Sequence, residues 1–135
     1  MATPRARTDE AAVSAPAPAR VRLGRYGEDL AARYLRERGL EVLDRNWRCE
    51  HGEVDIVAAD GPCLVVCEVK TRRGTGFGDP VEAVTLAKAL RLRRLAAAYV
   101  HARGLHPGAL RVDVVGVLCR PGRPAEIRHV VGVGS

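Results

Sequence analysis

"GEVDIVAADGPCLVVCEVKTRR", residues 52–73, decides the fold. Two runs rich in valine, isoleucine and cysteine flank Asp60-Gly61-Pro62, a turn signal, and they read as strands from Glu53 to Ala59 and from Cys63 to Thr71 joined as an antiparallel hairpin. Side chains alternate along a strand. Leu64, Val66, Glu68 and Lys70 are therefore expected on one face and Val65, Cys67 and Val69 on the other, while Glu53, Asp55 and Val57 go together on the first strand. The hairpin brings Asp55 close to the level of Glu68. An apolar strand thus ends in a pair of carboxylates beside the Lys70 ammonium.

Upstream, a strand-like run from Leu40 to Trp47 continues the meander, and before it Leu23, Tyr26, Leu30, Tyr34 and Leu35 recur at helical spacing. This predicts a helix from Val21 to Arg38, stopped by Gly39 at the C-cap. At 100° per residue Glu28 falls on the flank of the apolar stripe and Asp29 points away from it, so Glu28 is the acid expected to reach inward. Downstream, the glycine-rich "RRGTGFGDP" leads to Pro80, which suits the first turn of a second helix running to about Arg103. Strands Leu110 to Leu118 and Ala125 to Val133, separated by "RPGRP", close the chain. The order is αβββαββ.

A length of 135 residues fits one domain, placed at residues 21–135. Residues 1–20 hold three prolines, many alanines and almost no apolar bulk, the composition of a disordered tail. The formal charge of +6 favours an anionic partner, of which nucleic acid is the commonest. Cys49, Cys63, Cys67 and Cys119 sit among strand residues with no signal peptide before them, which predicts a reducing cytoplasm and no disulfide framework. No apolar stretch approaches the ~20 residues of a membrane span, so no membrane association is expected. His51, His101, His106 and His129 are scattered, and the glycine-rich loop lacks the closing Gly-Lys-Ser/Thr of a phosphate-binding loop.

Two facing carboxylates repel unless a proton or a cation neutralises them. Oxygen ligands favour Mg²⁺ or Mn²⁺, and a water activated there is a nucleophile suited to a phosphodiester, with Lys70 placed to orient or deprotonate it. The plainer alternative is an ordinary ion pair at a solvated sheet edge, worth about 0–1 kcal/mol. Lys88 bears on the choice. It lies near the middle of the stripe Val81, Val84, Leu92, Leu95 and Tyr99 on the second helix, where it either snorkels to water or points across the sheet to a phosphate or carboxylate. Arg72 and Arg73, and Arg91 on the helix, suit phosphate contacts. Arg111 and Asp113 read as a structural ion pair, Glu53 as a surface charge, Trp47 as core, and Phe77 as a base-stacking or edge-capping residue.

"GRYGEDLAARYL", "RNWRCEHGEVDIVAADG", "CLVVCEVKTRR", "PVEAVTLAKALRLRRLAAAYV" and "LRVDVVGV" resemble the successive blocks of the bacterial YraN family over about residues 22–118. That family is similar in turn to the PD-(D/E)xK nucleases, including archaeal Holliday junction resolvases. The resemblance implies an α/β restriction endonuclease-like core, a central mixed sheet flanked by helices. It also implies metal-dependent phosphodiester hydrolysis of DNA, branched or structured, in repair or recombination. Asp55, Glu68 and the Val69 carbonyl would hold the ion, Lys70 would handle the water, Glu28 would be the helix carboxylate and Lys88 the later basic residue. Val54 stands where the motif's name has proline. The alternative is a nucleic-acid-binding module that keeps the fold without cleaving. A homodimer is expected only by analogy with nucleases that cut two strands.

Overall fold

The computed structural model describes residues 19–74 and 84–134. Helix α1 (Ala19–Glu37) is followed by strands β1 (Glu41–Cys49), β2 (Gly52–Asp60) and β3 (Cys63–Arg73), helix α2 (Leu86–Arg103), and strands β4 (Ala109–Cys119) and β5 (Glu126–Val130). This is the expected αβββαββ order. The five strands form one mixed sheet in the order β1-β2-β3-β4-β5, antiparallel at every pairing except β3 with β4, which run parallel. A parallel pair needs a crossover, and α2 supplies it.

Each helix covers one face. Ala31, Ala32 and Leu35 of α1 pack with Val65, Cys67, Val115 and Val117, and Leu92, Leu95, Ala96 and Tyr99 of α2 pack with Leu64, Val66, Val112 and Val114. The valine-rich strands are buried on both sides because both sides are covered. Trp47 joins the α2 layer, its ring edge-on to Tyr99 at 5.2 Å. Among the described residues no helix is long and apolar enough to cross a membrane.

The helix ends follow from local chemistry. At the end of α1, Leu40 N donates to Leu35 O and Gly39 N to Arg36 O, the paired bonds that close a helix through a left-handed residue, with Gly39 at φ +91°. The start of α2 differs from expectation. The helix begins at Leu86, not at Pro80, because Thr85 is extended and its hydroxyl accepts from Lys88 N, which makes Thr85 the N-cap. Pro80, Val81 and Phe77 lie outside the described residues, as do residues 1–18 of the expected tail. Strand β5 is shorter than expected. Past Val130 the chain leaves the ladder, Gly132 N donates to Asp113 Oδ1, and Val133 turns in to be buried with the α2 layer.

Gly27 sets how closely α1 approaches the sheet. A Cβ added there would meet Thr71 Oγ1 at 1.9 Å, Cγ2 at 2.7 Å and Cβ at 2.8 Å. Turning the Thr71 side chain moves the first two atoms but not its Cβ. Gly27→Ala is therefore expected to lift α1 and cost about 1–3 kcal/mol, read as a lowered midpoint in urea denaturation.

Candidate active site

The ladder between β2 and β3 runs from Asp60 paired with Cys63 to Ile56 paired with Cys67, and stops there. Beyond it, Glu68, Val69 and Lys70 keep their other neighbour, in parallel register with Val114, Val115 and Gly116 of β4. The edge of β3 that faces β2 is thereby released, and the Asp55 side chain takes it up. Asp55 Oδ2 accepts from Val69 N–H at 2.8 Å. In an extended strand the N–H and C=O of one residue point to the same side, so the Val69 carbonyl faces the same gap.

Asp55 does not reach this gap by simple alternation. Val54 and Val57 both belong to the α2 layer, and Ile56 and Ala58 to the α1 layer, so the expected grouping of Glu53, Asp55 and Val57 on one face is broken at Asp55 itself. The partner strand turns over at the same level. Arg45 reaches the α1 side while Trp47 packs on the α2 side, and between them Asn46 has φ +53°. Asparagine tolerates the left-handed region better than most residues. With Arg45 paired to Ile56 and Trp47 to Val54, Asn46 lies opposite Asp55.

Glu68 stands on the α2 side of the gap, 13% exposed. Its Oε2 accepts from Lys88 Nζ at 2.7 Å and lies 3.1 Å from Lys70 Nζ. Lys88 therefore points across the sheet to a carboxylate. Burial works against its charge, but the Glu68 contact outweighs burial and the Lys88 pKa is raised. No described residue donates a hydrogen bond to Glu68 Oε1 or Asp55 Oδ1.

Glu28 does turn inward. Its Oε1 accepts from Asn46 Nδ2 at 2.8 Å and from Arg45 Nη2 at 3.0 Å, while exposed Asp29 meets the same guanidinium at 2.6 Å. Glu28, Asp55 and Val69 line one cavity of about 270 Å³, together with Arg20 and Thr71. Glu68 is not in that lining, and among the described residues no three His, Cys, Asp or Glu side chains close into a metal cage. The structure thus gathers Asp55, Glu68, Val69, Lys70 and Lys88 around the open end of the hairpin, with Glu28 beside Asp55. Arg72 and Arg73 are exposed at the end of β3, and Arg91 is exposed on α2 near enough to Lys88 to press its pKa downward. Glu53 pairs with exposed Arg48 at the surface. Sequence reasoning missed Arg45 and Asn46, which orient Glu28, and Arg20, which belongs to α1 rather than to a tail. The one signal for them was the Asp-Arg-Asn run at residues 44–46, polar at consecutive positions inside a strand.

Asp55 carries the clearest electrostatic signature. Burial pushes its pKa up, the Val69 N–H pulls it down, and the charges of Glu68, Glu28 and Glu53 push it up again, to about 6. Because this lies above the ordinary value of 3.8, the ionised carboxylate costs stability that is absent below about pH 3.8 and fully present above about pH 6. Asp55→Asn keeps an acceptor for Val69 N–H and removes the charge. At pH 8 in chelator it is expected to stabilise the fold by about 1–3 kcal/mol, with the gain vanishing near pH 3.5. Paired thermal melts of the two proteins at the two pH values check this.

The sequence pattern described as Uncharacterised protein family UPF0102 matches residues 27–117, from Gly27 at the helix–sheet contact through most of β4. The chain belongs to the UPF0102 family. A UPF0102 protein of Streptomyces griseus is 57% identical over 117 residues, spanning 85% of this chain and 98% of its own. Those of Kineococcus radiotolerans and Rhodococcus jostii are 54% and 53% identical, spanning 82% and 80% of this chain and 92% of their own length in each case. The UPF0102 match contains Glu28, Asp55, Glu68, Val69, Lys70 and Lys88, and also Arg72, Arg73 and Arg91.

Proposed function

We propose that this UPF0102 protein is a metal-dependent nuclease that hydrolyses phosphodiester bonds in DNA, including branched or structured DNA met in repair or recombination. The observation that carries the reading is the open end of the β2–β3 hairpin, where Asp55 and Glu68 flank the unladdered edge of Val69 and Lys70 follows at once. The donor set fits Mg²⁺ or Mn²⁺: two carboxylate oxygens to which no described residue donates, Asp55 Oδ1 and Glu68 Oε1, and one backbone carbonyl, all hard ligands. The Asp55 pKa is also pushed up, first by burial and then by the charges of Glu68, Glu28 and Glu53, and a divalent cation would offset both. When bound, such an ion supplies Lewis-acid polarisation of the phosphodiester and a lowered pKa for water.

The chain's own residues do the remaining work. Lys70 Nζ, held by Glu68, orients the attacking water and relays the proton that water loses, giving one of its own N–H protons to solvent as it takes the new one, while the leaving oxygen is protonated from solvent. Lys88, on the same carboxylate oxygen, keeps Glu68 fixed. Arg45 and Asn46 hold Glu28 at the wall of the Asp55 cavity, where it accepts from water. Arg72, Arg73 and Arg91 contact phosphates of the bound nucleic acid, in keeping with the overall positive charge. Two protomers would bring two such sites to a duplex.

A second reading, a binding module that does not cleave, draws on one specific observation. Lys70 and Lys88 already neutralise Glu68, so that carboxylate is satisfied without an ion. Purified protein with Mn²⁺, offered single-stranded, duplex, flap and four-way DNA, decides between them. The nuclease reading expects chelator-sensitive cleavage of at least one substrate that Asp55→Asn abolishes. Binding without cleavage of any of them favours the module.

A further inference from the structure

A second cavity, of about 300 Å³, opens on the other flank of α1. Gly27 rests on Thr71, and at 100° per residue Gly24 and Glu28 fall on one side of that contact and Tyr26 on the other. The carboxylates and this cavity are therefore separated by the helix. Arg73 at the end of β3, Arg120 and Arg123 on the β4–β5 turn, Cys119 and Tyr26 line it. An adjoining hollow of about 540 Å³ uses the same three arginines. Among the described residues no acidic side chain belongs to either lining. Glu126 engages Arg120 at 2.7 Å from outside, so positive charge remains in excess. Tyr26 is 52% exposed, a large aromatic ring at the surface beside guanidinium groups.

Guanidinium groups around a concave surface recognise phosphates, and an exposed ring among them offers a stacking platform for a base. Stacking needs a base that is not already paired in a helix. A hollow of this size admits a nucleotide or two and excludes a duplex. We propose that this cavity binds a single-stranded stretch of nucleic acid, its phosphates on Arg73, Arg120 and Arg123 and one base on the Tyr26 ring. The inference rests on the nucleic-acid part of the proposed function and deepens it: the substrate has a single-stranded arm, held across α1 from the bond that is cut. Substrates with flaps or overhangs are then preferred to blunt duplex.

The test uses the full chain, a fluorescein-labelled oligothymidylate of about 16 residues, and EDTA to prevent cleavage. Tyr26→Ala is expected to weaken binding about tenfold through lost stacking, while Tyr26→Phe keeps the ring and binds as wild type. Arg123→Glu, on an exposed turn, is expected to weaken binding at least about tenfold and to flatten the dependence of log K on log salt by about 0.7 or more. The oligonucleotide should also slow alkylation of Cys119, read by mass spectrometry. Wild-type protein that fails to bind the oligonucleotide, or variants and Cys119 that respond no differently, overturn the proposal. Cleavage assays run in parallel separate the two ideas. Cleavage that is indifferent to Tyr26 and Arg123 leaves the nuclease and removes this site, and Tyr26-dependent binding without cleavage does the reverse.

Discussion

Lys70→Met lowers cleavage of a branched DNA in Mg²⁺ by about two to four orders of magnitude, the usual contribution of a placed acid–base group. Affinity for the same DNA stays close to wild type. Methionine retains the apolar stem of the lysine, and Glu68 keeps its shorter contact, the 2.7 Å bond from Lys88, so the carboxylate stays paired and the strand stays folded. Single-turnover cleavage and anisotropy binding, measured on one preparation, separate the two effects. Unchanged cleavage would remove Lys70 from the mechanism. A parallel loss of binding would make Lys70 a phosphate contact instead.

Asp113→Ala has the largest expected effect on stability. Asp113 is fully buried on β4, where its carboxylate accepts from Arg111 Nε at 2.9 Å and Nη2 at 3.0 Å and from Gly132 N at 3.1 Å. His129 Nε2 lies 2.8 Å from Oδ2, and because an ionised carboxylate only accepts, that nitrogen carries the proton. Burial alone would push the Asp113 pKa up, but the bonds from His129, Arg111 and Gly132 outweigh it and the pKa is lowered. Truncation leaves a buried imidazole and a guanidinium that keeps Asp60 as partner, and frees the turn that seats Val133. The expected cost is about 3–5 kcal/mol, a fall in Tm of ~10 °C or more. The sign with pH follows from the lowered pKa: the contribution is complete above the ordinary carboxylate range and fades as pH falls through the folded-state value. The gap between wild type and variant should therefore narrow in acid.

Much of this was legible in the chain because both periodicities are strong. Leu30, Tyr34 and Leu35 mark α1, and Val54 to Ala58 and Leu64 to Val69 mark the central hairpin, in contacts that local pattern alone specifies. The same angular count separated Glu28, turned inward, from Asp29, at the surface. Where the reading failed, a hydrogen bond that hydrophobic periodicity does not register decided the outcome. Val81 and Val84 continue the apolar stripe of α2 and invite a helix from Pro80, yet one Thr85 hydroxyl caps it at Leu86. "HVVGVGS" reads as continuing strand, yet Asp113, nineteen positions earlier, draws Gly132 out of the ladder. The inversion at Asn46 and Asp55 was the least visible, because alternation is read one strand at a time and this one turns over in two strands together. The motif put Asp55 beside Glu68 through a regular hairpin. In the structure an irregular one aims Asp55 at the Val69 backbone.

The same residue ties stability to chemistry. Asp55 is a charge the fold would be more stable without, held among three other carboxylates, and Asp55→Asn is expected to gain stability while losing activity. A residue with only a structural role would show the opposite pairing.

The most direct measurement is the loss of the free aqueous Mn²⁺ signal in electron paramagnetic resonance as protein is added. The account predicts that wild-type protein takes up Mn²⁺ and that Asp55→Asn and Glu68→Gln each remove that uptake while remaining folded. Equal uptake by all three proteins, or none by wild type with DNA present, would contradict it.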